Sequence, residues 1–98
     1  MQKTKEEVEE KTKVYLAELY NIILHNDDTT TMDFVVEIIV NIFNKPIEEA
    51  VKLMLDIHNN GLAVCGTYTK EIDLTKQNEV LQSAKEAGFP LKCTIKKE

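Results

Sequence analysis

The sequence predicts an α+β domain, a small three-stranded antiparallel sheet with three helices packed on one side, in the order βααβαβ. Two observations carry that prediction. Three short runs, YNIILH at 20–25, LAVCGTY at 62–68 and LKCTIK at 91–96, are apolar or alternating and are bounded by turn residues, as strands are. The stretches between them space their apolar residues three and four apart and carry start and stop signals, as helices do.

YNIILH is short, apolar and rich in isoleucine, which suits a buried strand. The polar loop NDDTTT follows, and the hydroxyl of Thr30 or Thr31 can cap the next helix by accepting a backbone N–H. From Met32 to Phe43 apolar positions dominate. Asp33, Glu37 and Asn41 recur every four residues and predict one narrow wet stripe on a buried helix. Pro46 then suits the first turn of a second helix, with Glu48 and Glu49 well placed for its dipole. Ile47, Ala50, Val51, Met54, Ile57 and His58 share a face there, and Gly61 ends the run. In LAVCGTY, Gly66 marks a bulge or a close backbone approach. The third helix is expected over roughly 73–87, with Val80, Leu81, Ala84 and Ala87 inward, stopped by Gly88 and Pro90. LKCTIK closes the sheet.

Length and charge restrict the function classes. A chain of 98 residues suits one domain. Residues 1–13, dominated by Lys and Glu, read as a flexible tail, with 14–98 as the single domain. A net charge of −5 lacks the basic face that nucleic-acid binding requires, and it suits a cationic ligand or a basic partner. No apolar run is long enough to span a bilayer, and the charged N-terminus lacks a signal-peptide core, so the expectation is a cytoplasmic protein away from membranes. Cys65 and Cys93 stand far apart without zinc spacing, and both thiols are expected to be reduced. No cofactor or metal motif and no enzyme signature emerges.

One stretch asks for a chemical reading. Asn26, Asp27 and Asp28 sit between a strand and a buried helix. As turn formers they bind their own backbone. As a site they offer several acceptors to an ammonium group. His58 joins that cluster if the strand end and the second helix's end meet, since a neutral imidazole accepts a hydrogen bond. Met32 and Met54 read as core fillers or as the adaptable wall of an apolar pocket. His25 alternates to the other side of the strand and reads as an exposed bystander.

Four blocks at matching spacing, NDDTTTMDFV at 26–35, LMLDIHNNG at 53–61, VCGTY at 64–68 and PLKCT at 90–94, resemble the ClpS family over about residues 20–95. That family consists of non-catalytic adaptors that deliver N-degron substrates to a ClpA-type AAA+ unfoldase working with ClpP. The resemblance implies that Asn26, Asp28 and His58 hold the substrate's free α-amino group, with Asp27 beside them. It implies that the first side chain enters a pocket of Leu24, Thr30, Met32, Val35, Met54, Ile57 and Leu91. Met32 would act as gatekeeper against β-branched first residues, leaving Leu, Phe, Tyr and Trp preferred. Tyr68, Glu71 and Lys76 match the surface that docks on the unfoldase N-terminal domain, and the tail matches the segment that engages the unfoldase pore. The protein would act as a monomer.

This chain departs from the family at three places. Thr29 stands where an aromatic residue is frequent, Thr31 replaces a proline, and Ile57 replaces a valine. The extra methylene of Ile57 should shift preference modestly toward smaller first residues. Two other functions compete. One is an interaction module without N-degron binding, on a fold shared with the C-terminal domain of the ribosomal stalk protein. The other is a small hydrolase or metal protein using Asp27, Asp28 and His58, which metal-dependent stabilisation would reveal.

Overall fold

The computed structural model describes residues 18–98. The reading of 1–13 as a tail falls outside that range. The elements are β1 (Leu19–His25), α1 (Met32–Phe43), α2 (Ile47–Asn60), β2 (Leu62–Thr69), α3 (Lys70–Ala87) and β3 (Lys92–Lys97). The predicted order βααβαβ is observed, and the three strands form one antiparallel sheet ordered β2-β1-β3.

β1 is central because its apolar residues serve both faces. Ile22 and Leu24 are fully buried, and Ile23 between them is nearly so. Leu24 lies opposite Ala63 on β2 and Cys93 on β3. The helices close over that inner face, and Val35, Ile38, Ile39, Ile42, Phe43, Ala50, Ile57, Val80 and Ala84 complete one core with it.

Both readings of Gly66 hold. Ile22 faces Gly66 but Ile23 faces Val64, so Cys65 is the extra residue of a β-bulge. A Cβ on Gly66 would also collide with the Tyr68 ring, which lies against its backbone. Cys65 and Cys93 are free and buried, and burial pushes both thiols up to about 12, so neither is a nucleophile near neutral pH.

Caps set the helix ends. Thr31, rather than Thr30, caps α1, its hydroxyl accepting the Phe34 N–H at 3.2 Å. Pro46 precedes α2 in extended conformation and stands just outside the first turn. Gly61 ends α2 at φ 91°, a left-handed conformation that costs other residues more, and its N–H donates to the Ile57 carbonyl. The wet stripe of Asp33, Glu37 and Asn41 is exposed along α1.

Several sequence expectations are corrected. α3 begins at Lys70, three residues earlier than expected, and its inward stripe is Asp73, Val80 and Ala84. Leu81 is 42% exposed and Ala87 is exposed, because that stripe leaves both to one side. On α2, Ala50 and Ile57 are buried while Ile47 and Val51 face outward, so the apolar face is rotated from the expected one. β3 runs one residue later than expected, and Leu91 precedes it in the core. His25 is half-buried rather than exposed, and its Nε2 lies 2.7 Å from Thr94 Oγ1 across the β1–β3 pair. Burial, with Lys92 nearby, lowers its pKa.

Candidate functional site

The seam between β1 and α1 is organised by three local interactions. The Asn26 N–H donates to the Gly61 carbonyl at 2.8 Å, which ties the end of β1 to the end of α2. Asp27 folds back on the loop. Its Oδ1 accepts the Thr29 and Thr30 N–H groups at 2.8 and 2.7 Å, and its Oδ2 accepts the Thr30 hydroxyl at 2.6 Å. Burial alone would raise the Asp27 pKa, but the bonds from Thr30 and Thr29 outweigh it and hold the carboxyl below its ordinary value. Thr31 then starts α1.

These bonds build the rim of a cavity of about 350 Å³. Asn26, Asp27, Asp28 and His58 line it, so the strand end and the helix end do meet. Asn26, Asp28 and His58 are exposed, and none has a side-chain hydrogen bond among the described residues. The opposite wall is apolar, made by Met32, Val35, Met54 and Ile57, with Thr30 between the two halves. Val35 and Ile57 are 6% and 2% exposed and form its deep part, while Met32, 43% exposed, stands at the lip.

Leu24 and Leu91 do not line the cavity. Both are enclosed in the core cluster that holds Val35 and Ile57, and they back the wall instead of forming it. Thr29 and Thr31, which the resemblance relates to the pocket's edge and entrance without counting them among its side-chain wall, also line the cavity. Their position between acceptors and helix was the available signal.

The three residues matched to the docking surface lie on β2 and α3, close to a second concavity of about 340 Å³ lined by Glu71, Ile72, Thr75, Lys76 and Glu79. Glu71 is exposed and Tyr68 half-buried. Lys76 is engaged inside the molecule. Its Nζ donates to the Ile42 carbonyl at 2.6 Å and lies 5.2 Å from the Tyr68 ring centre. It thus neutralises the last turn of α1. Among the described residues no three His, Cys, Asp or Glu side chains converge as a metal-holding group, and no helix is long and apolar enough to cross a membrane.

A helix-covered three-stranded sheet, with acceptors and an apolar wall sharing one cavity, defines a small α+β binding module. The comparisons make the class specific. The family model for ATP-dependent Clp protease adaptor protein ClpS matches residues 16–94. The ClpS adapter protein of Campylobacter jejuni is 51% identical over 89 residues, which cover 91% of this chain and 93% of that protein. That of Clostridium acetobutylicum is 47% identical over 90 residues, covering 92% and 89%. The structure of Agrobacterium tumefaciens ClpS2 bound to L-phenylalaninamide superposes with a TM-score of 0.80 at 34% identity, covering 83% of this chain and 98% of that one. The chain belongs to the ClpS family, the adaptors of the ATP-dependent Clp protease.

Proposed function

We propose that this adaptor captures proteins by a free N-terminal Leu, Phe, Tyr or Trp and delivers them to a ClpA-type AAA+ unfoldase for degradation by ClpP. The observation that carries this reading is the division of the cavity into an acceptor rim and an apolar wall. A peptide's free end has the matching division, an ammonium with three donors beside the first side chain. The ammonium donates to the Asn26 side-chain carbonyl, the Asp28 carboxylate and a neutral His58. The side chain enters between Met32, Met54, Val35 and Ile57. Each half contributes about 1.5–3 kcal/mol, from charge-assisted hydrogen bonds and from burial of one apolar side chain.

Selectivity follows from desolvation. An acetylated end has no charge and too few donors, so docking it would strip water from Asp28 without replacement. Asp27 acts differently in this reading. Its carboxylate is committed to Thr29 and Thr30, so it shapes the loop that presents Asn26 and Asp28. The Agrobacterium relative supports the reading, since its ligand joins a free α-amino group to an aromatic side chain. Tyr68, Glu71 and the concavity on α3 supply the surface for the unfoldase N-terminal domain, and the protein acts as a cytoplasmic monomer.

The test is fluorescence anisotropy with labelled peptides beginning with Leu, Phe and Ile, each beside its N-acetylated form. Binding of free Leu and Phe ends alone is expected. Absence of binding by every peptide would overturn the reading in favour of an interaction module that uses only the α3 surface.

A further inference from the structure

α3 contains one group that the peptide site does not use and the fold does not explain. Asp73 is 0% exposed, and neither carboxyl oxygen has a hydrogen-bond partner among the described residues. It lies in the first turn of α3, on the stripe turned to the sheet with Val80 and Ala84. The groups that face it are neutral at ordinary pH. From β2 comes the Tyr68 hydroxyl, raised by burial first and then by Asp73. From β3 comes the Cys93 thiol, raised by burial first, then by Cys65 and Asp73. Burial is the sole cause acting on Asp73 itself and holds its carboxyl up at about 6, so no charged side chain of β1, α1 or α3 offsets it. The neighbouring lysines of α3 are occupied. Lys70 Nζ sits 5.9 Å from the Tyr20 ring centre, and Lys76 bonds Ile42. Thr69, which precedes the helix, makes no side-chain cap bond that would hold the turn.

We infer that the first turn of α3 is a proton-linked latch, seated on the sheet when Asp73 is neutral and loosened when Asp73 is ionised. A buried carboxylate without a partner is costly, and the terminal turn of a helix opens at less cost than its interior. The sign follows from the direction of the shift. Well below the ordinary carboxylate value Asp73 carries its proton whether seated or released, and seating is at its most favourable. As pH rises through the seated group's value near 6, that advantage is lost. The turn carries Glu71 and leads into Lys76, so unfoldase docking would inherit the dependence. That consequence rests on the function proposed above, and the latch itself does not.

The experiment is carboxyl-carbon NMR titration with amide exchange on the full chain, wild type and Asp73→Asn, between pH 4.5 and 8. Asp73 is expected to titrate near pH 6. Protection of the Ile72–Lys76 amides, corrected for intrinsic exchange, should fall about tenfold between pH 5 and 7.5 in the wild type and stay level in Asp73→Asn. If Asp73→Asn does not fold, Asp73→Ala takes its place. An ordinary Asp73 titration near pH 4, or an equal fall in the variant, would overturn the latch. No peptide or unfoldase is present, so failure of the N-degron reading leaves this outcome untouched.

Discussion

The Asn26 N–H donates to the Gly61 carbonyl at 2.8 Å, and this one bond sets the exit of β1 against the end of α2. It explains how acceptors thirty or more positions apart in the chain, Asn26 and Asp28 on one side and His58 on the other, come to line a single cavity.

Asp28→Ala and His58→Ala should each weaken binding of free Leu or Phe ends by about tenfold or more, the effect of losing one hydrogen bond to a charged group. Both side chains are exposed and without other bonds, so thermal unfolding should move by less than about 0.5 kcal/mol. Peptide titration and a melting curve on each variant check the pair. Unchanged affinity in both would remove the α-amino site.

Asp27→Ala should behave differently. It strips three bonds from the loop and should lower stability by about 1–2 kcal/mol together with affinity. The folded-state pKa of Asp27 is depressed, so its contribution is present above the ordinary carboxylate value and disappears as pH falls through the folded one. Unfolding curves between pH 2 and 6 should therefore converge for wild type and variant at the acid end. A constant gap would mean that charge on Asp27 does not matter.

Met32→Ala should open the lip of the cavity and admit Ile or Val as first residue, while Leu binding falls by about 1 kcal/mol for the lost wall contact. Anisotropy with the Ile peptide reads this directly. A variant that still excludes Ile would place the gate elsewhere.

Lys76→Met retains the aliphatic stem and removes the donor to Ile42. Loss of a charged cap on the end of α1 should cost about 1–2 kcal/mol in urea unfolding. A variant as stable as the wild type would show that the bond contributes nothing in water. The measurement also has to precede any docking experiment on Lys76, because weakened docking in an unstable variant would say little about contact.

The sequence exposed most of the fold and the chemistry of the site, and its failures have identifiable causes. α1 was bounded correctly because Thr31 caps it and its polar stripe keeps strict period. For α3 the expected start falls at Asp73, three residues late, because Asp is seldom buried without a partner and nothing in its residue type marks it as an inward position. Had Asp73 been taken as inward, the stripe through Val80 and Ala84 would have left Leu81 outside at once. Residue type announced acceptors at 26–28. It did not reveal that Asp27 spends both oxygens on the loop, which depends on the turn's geometry. Nor does alternation along β1 distinguish a residue that lines a cavity from one that stands behind its wall, which is Leu24's position.

The bonds made by Asp27, Thr31 and Asn26 lie wholly within the chain and need no peptide to form. Little ordering entropy is then left for the encounter, and association should run at the ordinary rate for a preformed site, about 10⁵–10⁷ M⁻¹s⁻¹. Changes to the apolar wall at Met32 or Ile57 will act chiefly on how long a cargo stays. For a protein whose task is to pass its cargo on, residence time fixes the interval in which handover must occur. Under the proposed function the wall would then work as a timer as well as a filter.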